Sequence, residues 1–295
     1  MSKLHKKFFN YKTLIHIFFI FTTIISVLPF ILIISISFSN ETDIVNYGFR
    51  FIPKEITTVA YKFVFGNGSK VIKAYLVTAF YAVLGSALSV VLMAMIAYPL
   101  SRDGFKFKKP LTIFLTVTMF LSGGLIPSYV INTQVFHLGN KLMMYLLYGL
   151  ISAYTVFVFR TFFKSIPESL TEAACIDGAS EAKILYKIII PLSVPVLMTF
   201  GFANLVSRWN DYTVSMYYMQ DENLYTLQFL LQNLLNEVEY LRQMKYAMPQ
   251  LVNVATPSET LKFAMCVVAA GPMVIIFPFF QKYFSKGMML GAVKG

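Results

Sequence analysis

The chain has 295 residues, of which 57% are hydrophobic and only 13% charged, against about 25% charged in water-soluble proteins. That balance, with a mean hydropathy of +0.65, excludes a disordered chain, which is poor in aliphatic and aromatic residues. It also excludes a soluble one, whose exterior would have to be largely apolar. The net charge of +11 reads as basic residues flanking membrane spans and meeting an anionic leaflet. No nucleic-acid partner is expected, because no basic stretch alternates with base-stacking aromatics outside the apolar runs.

Six apolar runs follow in chain order, so the fold class expected is an all-α membrane protein with six transmembrane helices in a lipid bilayer. The first, Thr13 to Phe38, is too long for a signal-peptide core. The second covers Ala74 to Leu100, and its Ala82, Gly85, Ser86 and Ser89 suit a close helix contact. The third runs from Pro110 to Ile131, where Gly123, Gly124 and Pro127 weaken or break the helix. The fourth covers Leu142 to Phe163, the fifth Pro191 to Met219, and the sixth Ser258 to Tyr283.

Basic residues set the orientation. Lys3, Lys6, Lys7 and Lys12, then Arg102, Lys106, Lys108 and Lys109 against Asp103, then Lys286 and Lys294, place both termini and the loop after span two in the cytoplasm. The segment from Asn40 to Lys73 is also basic but falls outside by alternation. Cys175 and Cys266 fit no metal spacing, and no disulfide is expected. His5, His16 and His137 are scattered, so no catalytic or metal constellation is expected, and no cofactor.

The loop 164–190 is charge-balanced and reads as two short amphipathic helices. Ser165 with Glu168 has the form of a capping box, Gly178 breaks the first helix, and Ser180 caps the second, with Ile184, Leu185 and Ile188 as its apolar stripe. The bland alternative is an interfacial loop helix with no partner.

Letter by letter, the loop reads Glu172-Ala173-Ala174, three residues, Gly178, then Ile188 and Pro191. It resembles the EAA loop of permease subunits of binding-protein-dependent ABC importers, with Ile190 where the family has Leu. Asp177-Gly178-Ala179 resembles the carbohydrate-uptake branch, as do Phe120 to Pro127 in span three and Trp209-Asn210-Asp211 in span five. The tail from Phe280 to Phe284, with Lys286-Gly287 and Leu290-Gly291, is similar to the smaller, maltose-type partner. The resemblance covers about Lys73 to Gly295.

It implies a type I importer permease fold, in which residues 1–72 hold the N-terminal tail, the first transmembrane helix and an extracellular loop, residues 73–284 the transmembrane domain with helices two to six, and residues 285–295 a cytoplasmic tail. The partners implied are a second homologous permease, two ATPase subunits, an extracellular solute-binding lipoprotein and a carbohydrate substrate, in the bacterial plasma membrane. Coupling to the ATPase falls on Glu172, Ala173, Ala174, Asp177, Gly178, Ile188 and Pro191. Small side chains at Ala173 and Ala174 let a partner approach closely, and Glu172 offers it a charge. The chain is not expected to be an enzyme: Gly66 to Lys70 lacks the spacing of a phosphate-binding loop, so hydrolysis belongs to another chain.

Polar groups in spans are paired or line a cavity. Gly123, Gly124, Asn204, Ser207 and Asn210 are therefore candidates for the substrate pathway, while Arg208 and Asp211, three apart, also suit a mutual ion pair. The region 220–257 carries a leucine stripe from Leu227 to Leu235. The stretch Arg242 to Gln250 resembles in position the loop that maltose-type permeases insert into their binding protein, which makes Gln243, Met244, Lys245 and Tyr246 candidate contacts. Within the same importer class, a polyol or glycerol phosphate is the alternative solute. A stand-alone secondary transporter predicts inverted repeats and mid-membrane carboxylates, and the chain shows neither clearly.

Overall fold

The computed structural model describes residues 2–66, 68–247 and 259–290. Those residues form helices, joined by turns and one isolated bridge between Ser39 and Ile56. In chain order they are α1 (Ser2–Ser37), α2 (Glu41–Tyr47), α3 (Val59–Phe65), α4 (Gly68–Ser101), α5 (Lys108–Phe120), α6 (Leu125–Val130), α7 (Leu142–Leu147), α8 (Ala153–Lys164), α9 (Glu168–Ile176), α10 (Glu181–Ile184), α11 (Ile190–Trp209), α12 (Thr213–Tyr218), α13 (Leu227–Ala247) and α14 (Glu259–Leu290). A π turn, Ile131–Val135, extends α6, and another, Leu185–Ile189, fuses α10 to α11.

Among the described residues, four uninterrupted stretches are long and apolar enough to cross a bilayer: Tyr11–Ser37, Gly68–Ser101, Glu181–Trp209 and Glu259–Tyr283. A fifth crossing exists if α5 and the segment Leu125–Val135 count as one, although they meet at 116°. The break falls where the sequence places Gly123, Gly124 and Pro127, and Gly124 has φ of +81°. The fourth predicted run is divided. Residues 148–152 separate α7, of 6 residues, from α8, of 12, each shorter than the roughly 20 that span hydrocarbon.

Two further boundaries differ from expectation. Pro191 does not start the fifth span but lies inside the continuous helix Glu181–Trp209. The π turn just before it accommodates a residue that has no N–H and whose ring crowds the preceding carbonyls; Ile190 N–H donates to Leu185 O, five residues back. At the other end of the chain, α14 continues through Leu290, so the beginning of the expected tail is helical; residues 291–295 lie outside the described residues.

The chain divides into two compact units. One comprises residues 1–68 and 231–271. In it the Glu41 carboxylate accepts the N–H groups of Glu259 and Thr260, both at 2.9 Å, and the Thr260 hydroxyl at 2.8 Å. A distant acid thus caps the first turn of α14, where bare N–H groups and the helix dipole favour negative charge. The second unit comprises residues 69–230 and 272–295. Its main apolar core joins Met93, Ala97 and Leu100 of α4 to Val156, Phe159 and Phe163 of α8 and to Ile184, Leu185 and Ile189.

Candidate functional site

The loop between α8 and α11 is clamped to the end of α4. Helix α9 starts at Glu168 with Pro167 in the capping position. The expected capping box is not formed, because the Ser165 hydroxyl donates backward to Phe162 O at 2.7 Å and closes α8 instead. At its other end Ala179 N–H donates to Ala174 O at 2.9 Å and Gly178 N–H to Cys175 O at 3.0 Å. This double closure places Gly178 at φ +72°, the left-handed conformation that glycine adopts without a Cβ clash. Ser180 caps the second helix, accepting Lys183 N–H at 3.4 Å.

Four side chains make the clamp, Arg102, Thr171, Glu181 and Tyr98, and the sequence marked Arg102 only as an orientation charge. Arg102, at the end of α4, donates from Nη1 to Thr171 Oγ1 at 3.0 Å. Its Nη2 lies 3.5 Å from Glu181 Oε1, and Tyr98 OH donates to Glu181 Oε2. One arginine therefore holds the first helix of the loop and the start of the second against α4. Beside it, Asp103 accepts from Lys108 at 2.7 Å and faces Lys164 at 3.5 Å; these ammonium groups hold its carboxyl below the ordinary carboxylate value.

Held in this way, α9 presents Glu172, Ala173, Asp177 and Gly178 to the outside, while Ala174 and Ile188 pack half-buried on the core. Pro191 is exposed further along the helix. Ile176 stands 87% exposed on the same loop, an apolar group that a partner would cover. Between α9, α10 and the end of α4 opens a cavity of about 1050 Å³, with Tyr98, Arg102, Glu172, Ile176 and Glu181 among its walls. Arg102 thus contacts both α9, through Thr171, and the first residue of the 29-residue helix Glu181–Trp209.

The second polar centre is Arg208. It does not pair with Asp211. Its guanidinium is 4% exposed and donates to Asn204 Oδ1 at 2.7 Å, Ser89 Oγ at 2.8 Å, Tyr145 O at 3.0 Å and Gly149 O at 3.2 Å. The last two are carbonyls at the break between α7 and α8, where Gly149 has φ of +60°. The last carbonyls of a helix lack intrahelical partners, and here an arginine from the helix Glu181–Trp209 supplies donors to them. Asp211 instead accepts from Tyr81 OH at 3.1 Å and from Thr213 N–H at 2.8 Å. The small-residue run on α4 thus meets an arginine side chain: a Cβ at Gly85 would lie 2.8 Å from Arg208 Nη1.

The candidate pathway residues are not gathered into one site. Asn204 is half-buried and occupied by Arg208, whereas Ser207 and Asn210 are exposed. Asn210 donates to Val206 O at 2.9 Å and accepts from Gln228 at 3.3 Å. Gly123 and Gly124 are exposed at the break of the third run. Trp209 is buried at 4% exposure against the ring of Tyr75, 6.2 Å away, rather than standing free at an interface. Gln243 is exposed and Met244 half-buried on α13. The side chains of Lys245 and Tyr246, and residues 248–250 of the same stretch, lie outside the described residues.

The model of a family described as binding-protein-dependent transport system inner membrane component matches residues 8–290. The chain is 35% identical over 283 residues to the polygalacturonan/rhamnogalacturonan transport system permease protein YtcP of Bacillus subtilis, covering 96% of this chain and 97% of that one. It is 32% identical to protein LplC of the same organism, over 92% of this chain and 90% of that one. Among solved structures it is similar to a chain of a bacterial ABC transporter involved in the import of the acidic polysaccharide alginate, with a TM-score of 0.78, 27% identity and coverage of 93% and 96%.

Proposed function

The chain belongs to the binding-protein-dependent transport system inner membrane component family, and we propose that it carries carbohydrate, as an oligosaccharide, inward across a bacterial plasma membrane. It is a transporter subunit and not an enzyme; ATP hydrolysis resides in a separate subunit. The observation that carries the reading is the clamped loop: an exposed small-residue helix tied to the end of α4 through Thr171, followed by a second helix tied there through Glu181, is what a lever between a soluble motor and a membrane pathway requires. Glu172, Ala173, Ala174, Asp177 and Gly178 seat on the ATPase, with Ile188 and Pro191 carrying the motion into α11.

In this reading the chain crosses six times, the third and fourth crossings being the broken pairs α5–α6 and α7–α8, with both termini cytoplasmic. Residues 73–284 are the transporting domain with helices two to six, 1–72 the N-terminal tail, first transmembrane helix and extracellular loop, and 285–295 the tail. A second homologous permease, two ATPase subunits and an extracellular binding lipoprotein complete the machine. Gly123, Gly124, Ser207 and Asn210 face the pathway with Asn204 behind them, and Gln243 to Tyr246 touch the binding protein. The relatives' names favour uronate-containing oligosaccharides as the cargo, since pectic chains and alginate are both acidic.

Uptake by cells lacking this gene tests the assignment, using labelled oligogalacturonides, neutral oligosaccharides, a polyol and glycerol 3-phosphate. Loss confined to a carbohydrate is expected. Loss confined to glycerol phosphate or the polyol, or uptake that persists after ATP depletion, overturns it.

A further inference from the structure

Beside the clamped loop, and sharing Phe105 with the first cavity, a second cavity of about 440 Å³ opens between the start of α5 and α8, within the range that holds small ligands. Its walls carry Lys106, Lys108 and Lys109 around the first turn of α5, and Arg160 from α8. No acidic residue lines it. Lys108 is engaged by Asp103 at 2.7 Å. Among the described residues, Lys106, Lys109 and Arg160 take part in no ion pair.

Basic residues are common in any loop on the cytoplasmic side. This cluster differs in two ways. Its charges come from the start of α5, the turn before it and the separate helix α8, and converge on one hollow, which loop composition alone does not produce. The face of α5 that begins at Lys109 also continues as Ile113, Val117 and Phe120, at helical spacing and all exposed. Three converging cations outside any ion pair, Lys106, Lys109 and Arg160, at the foot of an exposed apolar stripe, match a phosphate headgroup above an acyl chain.

We propose that this hollow binds one anionic phospholipid. The planar fork of Arg160 takes two phosphate oxygens, Lys106 and Lys109 add point charges, and an acyl chain lies along Ile113, Val117 and Phe120. The site would tie α5 to α8 at the membrane boundary. This rests on the reading of α5 as a membrane-crossing segment that starts at the water boundary, but not on transport, and the test uses no transport measurement.

The assembled transporter is purified and exposed to mixed micelles of dioleoylphosphatidylglycerol and dioleoylphosphatidylcholine, and retained lipids are counted by native mass spectrometry. Wild type should retain phosphatidylglycerol preferentially. The triple variant Lys106→Gln, Lys109→Gln, Arg160→Gln should retain it about a hundredfold more weakly, while Lys12→Gln, Lys54→Gln, Lys62→Gln, with the same loss of charge elsewhere, should match wild type. Arg160→Lys keeps the charge and most of the packing, and should weaken retention without abolishing it, so a triple variant that fails to assemble does not end the test. Equal retention by wild type and the triple or Arg160→Lys variants overturns the proposal, as does equal loss in the control. Displacement of the lipid by millimolar inorganic phosphate would overturn it in favour of a free-phosphate site. Loss of a partner subunit from the triple variant with lipid retention unchanged would assign the hollow to a protein contact instead.

Discussion

Gly85→Ala tests the arginine centre, because three effects of known size oppose one another there. Alanine is favoured over glycine inside a helix by about 0.5–1 kcal/mol. The added methyl, however, would lie 2.8 Å from Arg208 Nη1, 3.1 Å from Cζ and 3.2 Å from Cδ. A free guanidinium would swing aside at little cost, but this one is fixed by acceptors on every side. Moving it breaks at least the bond to Tyr145 O, and hydrogen bonds between spans are worth about 0.6–1.7 kcal/mol each. Overpacking adds about 1–3 kcal/mol. The clash wins, and Gly85→Ala should destabilise by about 1–3 kcal/mol. Arg208→Lys replaces the fork with a single ammonium that cannot reach all four acceptors, for a loss of about 2–4 kcal/mol. Lysine also vacates the space beside Gly85. In the Arg208→Lys background Gly85→Ala should therefore be neutral or stabilising by up to about 1 kcal/mol, a change of sign that only a shared contact produces. The assay is the thermal midpoint of the monodisperse complex in detergent for the two single variants and the double. Additive losses in the double variant would show that Arg208 does not sit against Gly85.

Cysteine introduced at Ser207 or Asn210 should react with a small water-soluble thiol reagent in at least one nucleotide state, whereas cysteine at Asn204, behind Arg208, should react more slowly; silence at both exposed positions removes the pathway assignment. Glu172→Lys should lower recovery of the ATPase or its sugar-stimulated hydrolysis, and Gly178→Val, with φ of +72°, should destabilise the loop by about 1–3 kcal/mol; equal recovery and stimulation in Glu172→Lys would make α9 a helix without a partner. Asp103 has its carboxyl held below the ordinary value of 3.8 by Lys108 and Lys164. Its contribution is therefore complete above that value and is lost only as pH falls through its own, lower, value. The difference in thermal midpoint between wild type and Asp103→Asn should be flat from about pH 5 to 8 and shrink below about pH 4, and a slope near neutrality would contradict the pairing.

What the sequence made legible was local chemistry. Glycine, glycine and proline within five residues announced the break at 123–127, and Gly178 between two amphipathic segments announced the turn of the loop. The break in the fourth run was hidden, because 148–152 carries a single glycine and no proline. What stabilises that break is a donor far away in the chain. For the same reason Arg208 was readable as an embedded cation but not as a carbonyl cap: its near neighbour Asp211 offered a local pair, and tertiary acceptors on Ser89, Tyr145 and Gly149 outcompeted it. Arg102, Tyr98 and Glu181 were likewise invisible as a clamp, since ordinary loop charges carry no mark of whom they meet. Ser165 and Glu168 had the right spacing for a cap, but Pro167 took the position and left Ser165 to close the preceding helix.

The Glu41 cap on α14 gives the chain a history as well as a shape. The unit that holds it is assembled from residues 1–68 and 231–271, so its first piece is made long before its second. At about 5–20 residues per second, the interval between those pieces is roughly 10–30 s of synthesis. Throughout that time Glu41 has no helix start to cap, and α1 waits in the membrane as a solitary hydrophobic rod. The other unit draws mostly on the uninterrupted stretch 69–230 and can begin to pack as it emerges. A ribosomal stall between residues 69 and 230 would therefore strand the N-terminal segment without its partner helix rather than merely delay the protein.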